Sequence, residues 1–224
     1  MSFTLLYLTL ALALIDWIAV AKNWKQLEYI AKPATMIALL AWFGLNGGFR
    51  GYARWFAAGL VFSLLGDILL MLPKDRFLAG LVSFLIVHIA YLVGLNQTPP
   101  PLNFASVILL ILVLLTSSQI YHRIAQGLRA SNKNKLIKPV LIYSIIISLM
   151  LLSALLTLVR KEWQPWSAIL ISLGALLFFI SETFNAWIRF VNPLPYGRLR
   201  VMVTYHLGQI LIALGALLHF NSLV

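Results

Sequence analysis

The sequence of 224 residues contains no cysteine, and only 10% of its residues are charged. The absence of cysteine excludes disulfides, thiolate nucleophiles and cysteine-ligated metals together. Soluble domains carry about a quarter of their residues as Asp, Glu, Lys and Arg. A chain with so little charge and 62% hydrophobic residues is therefore not an ordinary water-soluble domain. We predict an integral membrane protein.

Familiar catalytic and nucleotide-binding motifs are also missing. The chain has no G-x-S-x-G elbow, no H-E-x-x-H pair, no P-loop and no G-x-G-x-x-G fingerprint. Ester hydrolysis by a serine triad is therefore unsupported, and we expect neither a cofactor nor a bound metal. The four histidines show no i, i+4 pairing of the kind that forms a compact metal site. A metal site built from Asp67, Glu182, His88 and His206 stays open as an alternative.

Basic residues outnumber acidic ones, with seventeen Lys and Arg against six Asp and Glu. In a soluble protein this excess would suggest nucleic-acid binding. Here the basic residues lie between apolar stretches, which is typical of charges that flank membrane spans. We therefore expect no nucleic-acid partner.

Apolar runs of membrane length divide the chain into eight candidate spans. The segments between them are short and rich in charge, Pro or Gly, which leaves no room for a separate aqueous domain. The sequence predicts an all-α bundle of eight transmembrane helices forming one membrane domain over residues 1–224. The spans are 3–21, 33–49, 53–72, 77–95, 102–121, 138–159, 166–188 and 199–220.

The basic residues alternate between the two sides of this predicted bundle. Thirteen of the seventeen Lys and Arg residues fall at one side, and four fall at the other. Because loops rich in Lys and Arg stay in the cytoplasm, both termini are predicted outside. The membrane would be the inner membrane of a bacterium, or the endoplasmic reticulum of a eukaryote.

Ionisable side chains at membrane depth are costly, at about 2.5–3.5 kcal/mol each on insertion scales, and each suggests a function. A helix rises about 1.5 Å per residue, so the distance of each polar group from the cytoplasmic end of its span can be counted. Several of these groups fall in one layer, roughly a third of the way into the membrane from its cytoplasmic face. They come from five spans and would meet in one cavity. They are Asp16, Asp67, Tyr143, Glu182 and His206.

Asp67 and Glu182 have no basic residue at their predicted depth. Lys32 lies at the membrane edge, where it either reaches inward or extends to the headgroups. Two acids in one dry cavity would hold their protons differently, one neutral and one ionised. That division provides a general acid and a charged partner. The alternative is that the polar side chains only join helices by hydrogen bonds.

The two halves of the chain, 1–98 and 99–224, show a weak repeat. Lys32 precedes a proline at the second span, and Lys138 precedes one at the sixth. Asp67 is matched by Glu182, and His88 by His206. Each separation spans four helices, so the halves would be two parallel four-helix units.

Short motifs occur in a fixed order along the chain: residues 63–72, Phe84 with His88 and Tyr91, residues 174–182, and Tyr205 with Gln209. In this order they resemble the YhhN-like lysoplasmalogenases. The resemblance implies a lysophospholipid substrate whose vinyl ether bond is hydrolysed to a fatty aldehyde and glycerophosphoethanolamine or glycerophosphocholine. It also implies that Asp67 and Glu182 are the acidic pair, with Glu182 where the family usually has Asp.

The remaining polar residues receive roles around this pair. Two other functions stay open, a proton-coupled transporter and a non-catalytic lipid-binding membrane protein. Basic residues at the cytoplasmic side are assigned to the headgroup, although membrane topology alone also explains them. The headgroup residues are Lys32, Lys138 and Arg189, and the residues that orient substrate or water are His88, Tyr91, Tyr143, Ser181, Tyr205, His206 and Gln209.

Overall fold

A computed structural model describes residues 3–72 and 76–221. Eight α-helices account for most of this part of the chain, and none of its residues is in a β-strand. The prediction of an all-α fold is confirmed. The helices are α1 (Thr4–Lys22), α2 (Lys25–Phe43), α3 (Ala53–Met71), α4 (Phe77–Leu95), α5 (Phe104–Ala130), α6 (Ile137–Leu156), α7 (Pro165–Phe190) and α8 (Gly197–Asn221).

Within the described residues, seven helices are long and apolar enough to cross a membrane. The exception is α2, which carries Lys25, Glu28 and Lys32 and packs between α1 and α3. The eight helices are consistent with the predicted eight-helix membrane bundle, and the chain is an integral, multi-pass membrane protein.

The predicted boundaries are wrong in two places. The second span was predicted over 33–49, but α2 begins at Lys25 and contains Pro33, and a distorted turn follows it at Gly44–Gly48. The fifth span was predicted over 102–121, but α5 continues to Ala130. The start of α2 and the end of α5 were missed because a search for apolar runs ends at the first charges, whereas a helix continues past them into the headgroup region.

Local sequence explains several of the helix ends. Asn23 ends α1 in the left-handed conformation, which asparagine tolerates better than most residues. Asn103 caps α5 by accepting a hydrogen bond from the Ser106 amide. Pro165 occupies the first turn of α7, where its missing amide hydrogen costs nothing. These residues fix where each chain segment turns back into the bundle.

Close backbone packing joins α7 to α8. A Cβ atom placed on Gly208 would lie 2.9 Å from the Phe178 backbone nitrogen and 3.0 Å from the Gly174 carbonyl oxygen. Small residues of this kind let two membrane helices bring their backbones together. The contact therefore holds α7 and α8 as a closely fitted pair.

Corresponding helices of the two halves pair in the same way. In the first half α1 packs on α2 and α3 on α4, and in the second α5 packs on α6 and α7 on α8. Contacts of α4 with α6 and of α1 with α8 join the halves. This pairing supports an internal duplication, which stays a prediction.

Candidate active site

A cavity of about 420 Å³ opens at the end of the bundle where α2 and α8 begin. Its walls come from α2, α3, α7 and α8, with one aromatic residue from α4. Asp67 and Glu182 both line it. The remaining lining residues are Lys25, Glu28, Tyr29, Lys32, Leu70, Met71, Phe84, Ser181, Asn185, Ile188, Arg198, Val201, Met202 and Tyr205.

Asp67 is buried and has two partners. The Lys32 ammonium nitrogen Nζ lies 3.0 Å from Oδ1, and the Tyr205 hydroxyl donates a hydrogen bond of 2.7 Å to Oδ2. Lys32 is itself buried and lies 5.9 Å from the centre of the Tyr205 ring. Each carboxylate oxygen of Asp67 thus has a donor from a different helix.

The ion pair corrects one expectation. Asp67 was predicted to lack a basic partner at its depth, and the alternatives for Lys32 included extension to the headgroups. The structure shows Lys32 reaching inward to Asp67. The physical reason is the early start of α2, which places Lys32 about two turns inside the helix.

Glu182 has a different set of neighbours. The Tyr143 hydroxyl donates a hydrogen bond of 2.6 Å to Oε2 of Glu182, and His88 Nε2 lies 3.0 Å from the same hydroxyl. Tyr143 comes from α6 and His88 from α4, and both side chains are buried. Glu182 is therefore held by a neutral hydroxyl, whereas Asp67 is held by a cation and a hydroxyl.

One aromatic wall depends on the glycine that precedes Asp67. Phe84 lines the cavity and packs edge-on against the Tyr205 ring at 5.9 Å. A Cβ atom on Gly66 would lie 2.7 Å from Cε2 of Phe84. Gly66 therefore lets the Phe84 ring lie directly against α3.

A second buried network lies one helical turn beyond Asp67 and Tyr205. The Tyr91 hydroxyl donates to Oε1 of Gln209 at 2.6 Å, and Nε2 of Gln209 donates to the Ser63 hydroxyl at 2.9 Å. Tyr91 and Gln209, predicted to orient substrate or water, meet here, on the side of the site away from the cavity mouth. The network braces α3, α4 and α8 behind the site.

Ser181 and His206 have partners of their own. Ser181 lines the cavity and donates its hydroxyl hydrogen to the Val201 carbonyl, which links α7 to α8. His206 instead points toward α1, where Nδ1 accepts a hydrogen bond of 3.1 Å from the Trp17 indole and lies 4.0 Å from Oδ2 of Asp16. The expected polar layer is thus split into the cavity and this separate cluster.

The mouth of the cavity contains charges that were not assigned to the site from the sequence. Nη2 of Arg198 lies 2.6 Å from each carboxylate oxygen of Glu28, which joins the start of α8 to α2. Lys25 lines the same mouth. Their spacing in the sequence could have indicated them. Lys25 lies seven residues before Lys32, and Arg198 lies seven before Tyr205, which places each pair on one helix face.

Asn185 is another lining residue that was left out of the predicted site. It follows Glu182 by three residues, which places both on one face of α7.

Two predicted headgroup residues lie elsewhere. Lys138 is exposed at the start of α6. The Arg189 guanidinium lies 4.1 Å from the centre of the Phe77 ring and lines a separate surface groove with Lys133 and Phe190.

A metal site was the alternative use of the acidic and histidine residues. Across residues 3–72 and 76–221, no group of three or more His, Asp or Glu side chains is arranged to hold a metal ion. The distribution of partners explains this, since the His88 ring is directed to Tyr143 and the His206 ring to Trp17.

Comparison with known proteins identifies relatives over most of the chain. Similar proteins include the lysoplasmalogenase TMEM86B of Sus scrofa, 34% identical over 164 residues, which are 73% of this chain and 64% of that protein. Those of Homo sapiens and Mus musculus are each 30% identical, over 83% and 90% of this chain and 72% and 80% of their own length. No solved structure gives a significant match. The YhhN family model matches residues 27–216, and the chain therefore belongs to the YhhN family.

Proposed function

We propose that the protein is a lysoplasmalogenase, which hydrolyses the vinyl ether bond of a lysoplasmalogen to a fatty aldehyde and a glycerophospho-alcohol. The names of the similar proteins support this reaction. The observation that carries the proposal is that Asp67 and Glu182 line one cavity of a membrane protein but have different partners. The chemistry of a vinyl ether needs such an unequal pair.

The partners assign a role to each acid. The Lys32 ammonium group stabilises the negative charge of Asp67, so Asp67 is the ionised member. Glu182 has a neutral hydroxyl as its hydrogen-bond partner where Asp67 has a cation, so its negative charge is stabilised less and Glu182 is the member that holds a proton. Glu182 is therefore the general acid, and Asp67 is the general base and the negative charge that faces the developing cation.

The reaction then runs in three balanced steps. Glu182 transfers its proton to the β-carbon of the vinyl ether, and the remaining π electrons leave an oxocarbenium ion. Water attacks this ion while Asp67 accepts a proton, which forms a hemiacetal. The hemiacetal breaks its bond to the glycerol oxygen, which takes the proton held by Asp67, while the hemiacetal hydroxyl gives its proton to Glu182 and becomes the carbonyl group of the released aldehyde. The net change is one water consumed, and a proton returns to Glu182.

The contacts of Tyr143 direct the proton of Glu182 toward the substrate. A tyrosine hydroxyl carries one proton, and Tyr143 donates it to Oε2 of Glu182. His88 then donates from Nε2 to the Tyr143 oxygen. With Oε2 already accepting a hydrogen bond, the acidic proton of Glu182 is carried by Oε1. His88 and Tyr143 are positioning residues.

The cations at the cavity mouth suit a phosphate headgroup. Lys25 and Arg198 line the mouth, outside the buried pair of Lys32 and Asp67. Arg198 is oriented by Glu28 and can present its remaining N–H groups to a phosphate oxygen. The substrate is therefore a lysophospholipid whose phosphate lies at the mouth and whose ether bond lies at the acids.

The cavity is expected to open on the cytoplasmic side. Its mouth is at the side of the bundle that carries thirteen of the seventeen Lys and Arg residues. Both chain termini then lie on the opposite side of the membrane. Reaction of a single introduced cysteine at Ser2 or at Asn134 with a membrane-impermeant thiol reagent tests this orientation in intact cells.

The decisive experiment follows the products of purified protein by mass spectrometry. Lysoplasmenyl-ethanolamine and its saturated alkyl ether analogue are compared, because only the unsaturated ether can be protonated at carbon. Glu182→Gln and Asp67→Asn should each lower aldehyde release by roughly 10²–10⁴-fold, the usual contribution of general acid–base catalysis. Glu162→Gln is the matched control, because Glu162 is exposed on the opposite side of the bundle.

Two results would overturn the proposal. Full turnover by both Asp67→Asn and Glu182→Gln would remove the acid pair from the mechanism. Uptake of the intact lipid into sealed vesicles without release of aldehyde would indicate a transporter instead.

A further inference from the structure

A second, smaller pocket adjoins the site. It has a volume of about 60 Å³ and lies among α5, α6, α7 and the start of α4. Most of its wall is hydrocarbon. The apolar lining residues are Phe77, Leu81, Ile120, Ile124, Val140, Ile147, Phe179, Ala186 and Phe190.

The serines in this wall have hydrogen-bond partners. Ser148 donates its hydroxyl hydrogen to the Ser144 carbonyl and accepts one from the Ser117 hydroxyl, and Ser144 donates to the Val140 carbonyl. Hydroxyl groups that are bonded in this way expose little polar character to a ligand. The pocket is thus suited to an apolar occupant.

The two spaces meet at two residues of α7. Glu182 and Asn185 line both the polar cavity and the apolar pocket. On one side of them lie the cations Lys25, Lys32 and Arg198, and on the other lies the hydrocarbon wall. An amphiphile that fills both spaces has the junction between its head and its chain at Glu182.

We infer that the apolar pocket binds the first carbons of the substrate's hydrocarbon chain and thereby places the ether linkage beside Glu182 and Asn185. This inference rests on the proposed function, because in a lysoplasmalogen the vinyl ether joins the glycerophosphate to the chain. The pocket thus determines which carbon of the chain meets the acid.

The size of the pocket limits how much of the chain it holds. A volume of 60 Å³ is about that of two water molecules at ~30 Å³ each, so only the carbons next to the ether fit. The rest of the chain extends along α5 into the bilayer. This helix suits that role, since only 11% of its most apolar stretch is buried.

A filled pocket tests the inference. Ser117→Leu places a larger side chain in the pocket, and Ser118→Leu, its exposed neighbour on α5, is the matched control. Ser117→Leu should lower kcat/KM for a long-chain lysoplasmenyl lipid by at least about ten-fold, because one methylene group that does not fit an apolar pocket already has an effect of this size. The kcat/KM of an ethenyl analogue, which has no carbon beyond the double bond to enter the pocket, should change far less.

A second measurement needs neither a variant nor turnover. A non-cleavable saturated lysolipid with a diazirine next to its ether should cross-link to Ile120, Ile147 or Phe179, as identified by mass spectrometry. Cross-links confined to other surfaces would overturn the inference. So would a loss of kcat/KM in Ser117→Leu that is equal for the long-chain lipid and the short analogue. If the unmodified protein cleaves no vinyl ether, the proposed function fails, and the cross-links still decide whether the pocket binds the chain.

Discussion

Removing Lys32 should destabilise the protein strongly unless Asp67 is changed as well. The two side chains are 7% and 2% exposed, and Nζ lies 3.0 Å from Oδ1. At an effective dielectric constant of about 20, this pair attracts by roughly 5 kcal/mol. Breaking one partner of a buried pair costs about 3–5 kcal/mol. The cost of Lys32→Met should lie near the lower limit of this range, because the Tyr205 hydrogen bond to Asp67 remains.

The apparent melting temperature in detergent at a fixed heating rate measures this loss. For a chain of this size, about 3 kcal/mol corresponds to a fall of roughly 6–12 °C. The double variant Lys32→Met/Asp67→Asn removes both charges and should recover more than half of the fall. Lys138→Met is the matched control, because this exposed lysine also precedes a proline, and its effect should be within about 0.5 kcal/mol.

The coupling between the two substitutions decides the outcome. If the fall in melting temperature of the double variant equals the sum of the falls for Lys32→Met and Asp67→Asn, the two groups do not depend on each other. Such a result would refute the ion pair and, with it, the assignment of Asp67 as the ionised acid.

Four further changes have defined outcomes. Gly208→Val should cost about 1–3 kcal/mol in thermal stability, because its side chain would meet the α7 backbone, and an unchanged melting temperature would contradict that contact. Arg160→Met removes hydrogen bonds to Leu95, Asn96 and Thr98 and should cost about 2 kcal/mol in the same assay. Lys25→Ala should raise KM for a phospholipid substrate and leave kcat unchanged, whereas a fall in kcat alone would remove it from headgroup binding. Tyr143→Phe should lower kcat by roughly ten-fold or more with little change in KM, because it frees Oε2 of Glu182.

Much of the fold could be predicted because it follows from hydrophobic length. Eight apolar runs correspond to eight helices, and α4 has the predicted bounds of 77–95. The start of α2 could not be found in this way, since its first turns carry Lys25 and Glu28. A search for apolar residues cannot distinguish a charged helix end from a loop.

The site was partly predictable for a related reason. Costly groups at membrane depth are few, and Asp67 and Glu182 stand out from the sequence. Their partners depend on how helices are rotated about their axes, which sequence spacing within one helix does not fix. The reach of Lys32 to Asp67 and the separate contact of His206 with Trp17 therefore required the structure.

The glycine contact between α7 and α8 has a consequence for how a lipid reaches the acids. Two helices whose backbones touch cannot slide or separate without losing that fit, so Glu182 on α7 and Tyr205 on α8 belong to one rigid unit. A membrane-borne molecule meets instead the helix that is least enclosed, α5, only 11% of whose most apolar stretch is buried. The acid-bearing wall is thus fixed by one helix pair, and the surface that faces the lipid belongs to another helix.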